Sequence, residues 1–190
     1  TLESKKDNNK ILAVIKGITM NQDGSASSLV APNINAQVAM HKQLLNEANL
    51  SAGDINYIET HGTGTQLGDE VEFNAIMQVH QAKHSQNQPL IIGAVKSNLG
   101  HTLSASGIAS LIKAVCSLNG EVIPANLYYE NPNNKIKPQL IPANIIVNNT
   151  EFKKTPIKNR YAQVSNFGFT GTNVSTIIEG APIVDKNNNK

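Results

Sequence analysis

The chain has 190 residues, enough for one hydrophobic core and short for two, and its 39% hydrophobic content holds no Trp and only four Phe and four Tyr, so that core is aliphatic. A net charge of +2, from 16 basic and 14 acidic residues with the lysines scattered, predicts neither a nucleic acid nor a membrane surface as partner. The lone cysteine, Cys116, excludes an intrachain disulfide framework; with a polar start and no apolar run near the ~20 residues of a membrane span, the expectation is a cytoplasmic domain.

Residues 1–10 are charged and Asn-rich and read as a polar linker. Residues 183–190 read as a disordered polar tail, because neither segment can bury enough to offset the entropy of ordering. Residues 11–182 between them read as one folded unit. Ile11 to Met20 predicts a strand, stopped by the turn-prone Asn21-Gln22-Asp23-Gly24. Ile34, Val38, Leu45 and Ala48 share one face at helical spacing, which predicts a helix from about Ile34 to Asn49 behind an N-cap at Asn33. Gly53-Asp54 turns the chain into a strand at Ile55 to Thr60. A second helix is expected from about Asp69, where Asp69, Glu70 and Glu72 place negative charge at the positive end of its dipole.

Leu90 to Val95 has no polar face, as expected of a buried parallel strand. A helix from about Ser104 to Leu118 follows, with Ile108, Leu111, Ile112, Val115 and Leu118 predicted as its core stripe. Pro124 to Asn144 reads as a long irregular excursion. Two last strands, Tyr161 to Asn166 and Asn173 to Glu179, are joined through a Gly-rich turn. Strands alternating with helices predict an α/β layered fold.

Two segments sit where chemistry is expected. His61-Gly62-Thr63-Gly64-Thr65 directly follows one strand, and Lys96-Ser97-Asn98-Leu99-Gly100-His101 follows another. Ligands of open α/β sheets bind at the carboxyl ends of strands. Neighbouring strands would bring two imidazoles and an ammonium into one crevice able to stabilise negative charge. The residues alone leave a plainer reading open, in which the histidines are satisfied loop residues and Gly-Thr-Gly is only a turn.

Competing motifs fail on spacing. Gly62, Gly64 and Gly68 are one residue too long for a dinucleotide fingerprint, and no acidic residue lies about 20 positions on. There is no phosphate-binding P-loop, and Ser104-Ala105-Ser106-Gly107 lacks the first glycine of a nucleophile elbow. His80 and His84 are spaced for a helical metal pair, but their Gln- and Lys-rich surroundings offer no third ligand, so no metal site is expected. Cys116 lies mid-helix with no base or helix N-terminus to activate it, and reads as an inert core thiol.

These segments resemble a known family. His61-Gly-Thr-Gly-Thr-Gln-Leu-Gly-Asp69 resembles the first histidine motif of β-ketoacyl synthases, and Val95-Lys-Ser-Asn-Leu-Gly-His101 the lysine and second-histidine motif. Ser165-Asn-Phe-Gly-Phe-Thr-Gly-Thr-Asn173 resembles the gating loop, while Asn21-Gln-Asp-Gly24 and Ala31-Pro-Asn33 resemble modular type I polyketide synthases. The likeness runs from about Ile11 to Pro182, in family order. It implies the C-terminal lobe of the thiolase-like α/β/α/β/α fold and, in the intact enzyme, an acyltransferase performing decarboxylative Claisen condensation.

The resemblance also implies roles. His61 and His101 would donate hydrogen bonds to the extender's thioester oxygen, and Lys96 would orient the surroundings of the second histidine. Thr63 and Thr65 would contact the phosphopantetheine arm of an acyl carrier protein, with no other cofactor. Gly168, Phe169, Thr170 and Gly171 would form the gate loop, the Phe169 N–H being half of an oxyanion hole. Partners would be the N-terminal half of the same ketosynthase and a second copy in a homodimer.

Departures qualify this. The family's cysteine-serine nucleophile motif is absent, so the chain is expected to be a piece or separate subunit, inactive alone. Thr170 stands where Gly or Ser is usual, which should stiffen the loop. Val174-Ser175 replaces an Ala-His pair, which should alter strand packing more than chemistry. The alternatives are a non-condensing ketosynthase-like domain that only binds acyl-carrier substrates, or a partner subunit without a cysteine.

Overall fold

The computed structural model describes residues 10–24, 31–131, 133–136, 142–153 and 159–182; the expected linker up to residue 9 and tail 183–190 lie outside them. Strands and helices alternate: β1 (Ala13–Gln22), α1 (Ile34–Glu47), β2 (Ile55–Glu59), α2 (Gln66–His80), β3 (Leu90–Gly93), the short α3 (Lys96–Leu99) and α4 (Ser106–Gly120). Short strands β4 (Val122–Ile123), β5 (Ala143–Ile145) and β6 (Thr150–Glu151) precede the long β7 (Tyr161–Phe167) and β8 (Thr172–Gly180).

One six-stranded sheet runs β1-β8-β7-β2-β3-β5, and β4 pairs with β6 apart from it. Strand β2 is parallel to both β3 and β7, and β3 is parallel to β5. The neighbouring parallel strands require crossovers, which the helices supply. The 167–172 turn makes β7 and β8 an antiparallel hairpin, and β1 adds antiparallel to β8.

Helix α1 starts where expected because the Asn33 side chain accepts the N–H groups of Asn35 and Ala36 at 3.0 and 3.4 Å. Helix α2 starts at Gln66, three residues before the expected Asp69. The Thr65 hydroxyl accepts the Gly68 N–H at 3.2 Å and so caps an extra turn. Helices α1 and α2 cover one sheet face, where Leu44, Phe73 and Ile76 pack on Ile58 and Ile92. Helix α4 covers the other, with Ala114 and Leu118 against Tyr57, Ala162 and Ile178.

The core stripe predicted for α4 is corrected in part. Leu118 is buried and Leu111 and Val115 pack partly on the core, but Ile108 and Ile112 are 54% and 56% exposed. Beside Ala114 and Leu118, the buried side of the helix carries a polar line, Ser106, Ser110, Lys113 and Ser117, at spacings of four, three and four. Cys116 is likewise exposed rather than in the core. Leaving each isoleucine about half in water forgoes about half of the roughly 1.5–3 kcal/mol that full burial is worth. No helix among the described residues is long and apolar enough to cross a membrane.

Candidate active site

Strands β2 and β3 end side by side, with Glu59 opposite Gly93. Thr60 prolongs the pairing by one residue, since its N–H and hydroxyl both donate to the Gly93 carbonyl at 2.8 and 3.0 Å. Gly62 then turns at φ +49°, where a Cβ would stand 2.6 Å from the Ala94 side chain. Only glycine lets the His61 and Lys96 segments pass this closely.

The two histidines meet as the strand order requires. Their rings lie 5.7 Å apart, edge to face, and Phe167 of β7 packs edge-on to His61 at 5.4 Å. The Leu103 N–H donates to His101 Nδ1 at 3.0 Å, which leaves the proton on Nε2. Lys96 Nζ stands 3.4 Å from His61 Nδ1, so the lysine's own contact is with the first histidine, whose ring abuts the second. An ammonium only donates, so the Lys96 contact favours His61 Nδ1 as an acceptor with the ring proton on Nε2. Asn166 Oδ1, which only accepts, lies at 3.4 Å on the same nitrogen and favours the other tautomer, with the proton on Nδ1.

Burial first, and the Lys96 charge second, bring the His61 pKa down to about 4. His61 is therefore neutral at ordinary pH. Burial also lowers Lys96, while Glu72 and Glu59 act the other way. Glu72 on α2 is fully enclosed and accepts the N–H groups of His61 and Gly62 at 2.8 and 3.0 Å. Burial pushes its pKa up to about 7 against those two amides. The sequence marks Glu72 only as a helix-start charge; its spacing three residues after Asp69, on the inner face of α2, is the signal available there.

An open cavity of about 480 Å³ joins His61 and His101 to Thr63, Thr65 and the loop residues Gly168, Phe169 and Gly171. Thr63 and Thr65 face each other, oxygen to oxygen, at 3.3 Å. The loop is a tight turn: Gly168 N–H bonds to Thr172 O at 2.6 Å and Gly171 N–H to Gly168 O at 2.9 Å, with Gly171 at φ +88°. Thr170 sits in this turn beside Phe169, whose side chain is 84% exposed. The Phe169 N–H has no acceptor among the described residues. Asp23 N–H donates to Gly171 O at 2.9 Å, tying the loop to the end of β1. Ser175 is buried, bonded to Ser165 Oγ and Gln163 Nε2 at 2.9 Å each, away from the histidines. His80 and His84 both turn a ring nitrogen to the Ala52 carbonyl, at 3.3 and 3.1 Å.

Two imidazoles, a flanking ammonium and an amide with no acceptor among the described residues gather at strand ends, an arrangement whose chemistry suits stabilising negative charge. Residues 12–130 match the family described as "Beta-ketoacyl synthase, C-terminal domain", and the chain belongs to it. It is 37% identical over 185 residues to erythronolide synthase EryA3 of Saccharopolyspora erythraea, covering 96% of this chain and 6% of that protein. It is 36% identical over 187 residues to the pikromycin polyketide synthase component PikAIII of Streptomyces venezuelae, covering 96% of this chain and 12% of that one. The ketosynthase from module 6 of the bacillaene synthase of Bacillus subtilis 168 superposes with a TM-score of 0.89 at 31% identity, covering 95% of this chain and 33% of that one. The layered α/β fold is thus that of the thiolase-like ketosynthases, and the chain spans a third of such a structure.

Proposed function

We propose that this lobe supplies the decarboxylation half of a condensing active site in polyketide synthesis. In this reaction the C–C bond to the carboxylate of a malonyl thioester breaks, CO₂ leaves, and the electron pair becomes an enolate. Hydrogen bonds from His61 and His101 hold the enolate oxygen. The enolate carbon then attacks an acyl thioester on a cysteine of the N-terminal half, and the thiolate leaves. The observation that carries this reading is the pair of imidazoles 5.7 Å apart in one cavity with the Phe169 amide. Neutral donors suit an enolate, because they stabilise charge without first giving up a proton.

The extender arrives on the phosphopantetheine of an acyl carrier protein, whose arm lies along the Thr63 and Thr65 hydroxyls. Both residues line the cavity beside the histidines, which supports that path. The Phe169 N–H supplies half of the oxyanion hole for the tetrahedral intermediate. The exposed isoleucines of α4 pack against the N-terminal half, and the intact enzyme works as a cytoplasmic homodimer.

The test uses the intact ketosynthase, with its N-terminal half present. His61→Ala should abolish malonyl decarboxylation and elongation while acyl loading of the cysteine continues. Unimpaired decarboxylation in that variant would remove the assignment.

A further inference from the structure

One buried carboxylate links the two strand ends on which the site is built. Glu59 is fully buried on β2, two residues before His61. Its Oε1 accepts the N–H of Val95, the residue before Lys96. Its Oε2 accepts the Tyr57 hydroxyl and pairs with the Lys113 ammonium of α4 at 2.9 Å. That ammonium has no further acceptor among the described residues. Gly93 opens the way, since a Cβ there would stand 2.8 Å from the Tyr57 hydroxyl and 3.2 Å from Lys113 Nζ.

A buried ion pair of this kind is seldom the most stable choice. Taking both charges out of water costs several kcal/mol each, and apolar residues of similar volume often serve stability as well or better. The geometry offers another reason for it. The β3–α3 turn presents two successive amides: Ala94 N–H goes to Asn126 Oδ1 at 2.7 Å, and Val95 N–H goes to Glu59. Val95 also accepts the N–H groups of Asn98 and Leu99 at 2.9 and 3.0 Å, so its orientation sets the axis of α3. Lys96 is the first residue of that turn, and its Nζ must cross to His61 on the next strand.

We propose that Glu59 is a positioning residue for Lys96: its carboxylate, locked by Lys113 and Tyr57, fixes the Val95 amide and thereby the direction in which Lys96 leaves β3 to reach His61. The consequence for catalysis rests on the condensing role proposed above. The placement of Lys96 on His61 does not, and is measurable in the chain by itself.

Two double variants separate the carboxylate's position from its charge. Glu59→Leu with Lys113→Met removes the acceptor, whereas Glu59→Gln with Lys113→Met keeps one. In the chain itself, NMR titration of His61 should show its pKa rising in the leucine variant, as the ammonium leaves its side, and returning toward the native value in the glutamine variant. In the intact ketosynthase, the leucine variant should lose about ten- to a hundredfold in malonyl decarboxylation with acyl loading retained, the loss expected of a misplaced group. The glutamine variant should recover most of that loss. Native titration and native decarboxylation in a folded leucine variant would overturn the proposal. His101→Ala is the control: if it too leaves decarboxylation intact, the catalytic reading fails, and the titration still judges the positioning. Should the leucine variant not fold, Tyr57→Phe removes one partner of Glu59 and keeps the ion pair. An upward His61 shift with a loss of about two- to tenfold then supports the proposal, and native values overturn it.

Discussion

Lys96 Nζ lies 3.4 Å from His61 Nδ1, so the lysine leaving one strand rests on the histidine leaving its neighbour. The contact favours the tautomer with the proton on Nε2 and adds to burial, the larger cause, in keeping the ring neutral. His101 reaches the same donor form by a local device, the Leu103 amide on its Nδ1.

Lys96→Met should therefore raise the His61 pKa from about 4, because removing a positive charge eases protonation. The value should stay below 6.5, since burial is the larger cause and remains. Ring-proton NMR across the titration reads this directly. An unchanged or lowered pKa would mean that Lys96 does not act on His61.

Glu72→Ala should strip the buried N–H groups of His61 and Gly62 of their acceptor, at a cost of about 1.5–3 kcal/mol. The cost should depend on pH with a definite sign. The folded pKa, about 7, lies above the unfolded 4.5, so the glutamic acid's proton-linked contribution is complete below 4.5 and is lost as pH rises to 7. Urea unfolding should show a larger gap between native and variant at about pH 5 than at about pH 7.5. The opposite order would show that Glu72 stays a carboxylate in the fold.

Much of this architecture is legible from local pattern. Asn33 as a cap and Leu90 onward as a buried parallel strand follow from residue type and spacing, whereas the meeting of His61 and His101 waits on the β2–β3 pairing, which spacing alone leaves open. What is not legible depends on contacts far apart in sequence. Ile108 and Ile112 have helical spacing, but spacing does not say which side faces the sheet, and here Ser110 and Lys113 do. Glu59 looks like an ordinary polar strand end until Lys113 and Val95, both more than thirty residues away, are brought to it. The target of Lys96 escapes a local reading for the same reason: chain proximity favours His101, and sheet pairing favours His61.

His41 and His80 should give the lobe an acid-sensitive limb. Both are buried, with rings 5.9 Å apart, and Nε2 of each lacks a partner among the described residues. Burial lowers His41 to about 4 and, with the facing His41, lowers His80 to about 3. Folded values below the ordinary 6.5 mean that their contribution is present above pH 6.5 and is lost as pH falls through that window. Each removes about 1.4 kcal/mol per pH unit there, against the opposing slope of Glu72 above 4.5. His41→Gln keeps a polar side chain that can meet Gln163 but cannot titrate. Its stability should fall less steeply between about pH 6.5 and 4.5 than that of the native chain, in urea unfolding followed at several pH values. Parallel curves would show that His41 is not the titrating group.

The outward face of α4 makes the sharpest difference between the lobe alone and the lobe in place. Ile18 and Met20 of β1 are exposed as well, at 62% and 67%. Exposed apolar area of this kind drives association, and shielding it stabilises by roughly 25 cal/mol per Å². Ile112→Lys places a charge in the middle of the α4 surface without touching the sheet side of the helix, where Lys113 and Ala114 lie. Light scattering should find the native chain self-associating and the variant closer to monomeric, with thermal stability of the monomer within about 0.5 kcal/mol. Co-expressed with an N-terminal ketosynthase half, the native lobe should co-purify and the variant should not, because a lysine would then be buried unpaired at the seam. A variant that still assembles normally would place the N-terminal half elsewhere on the lobe.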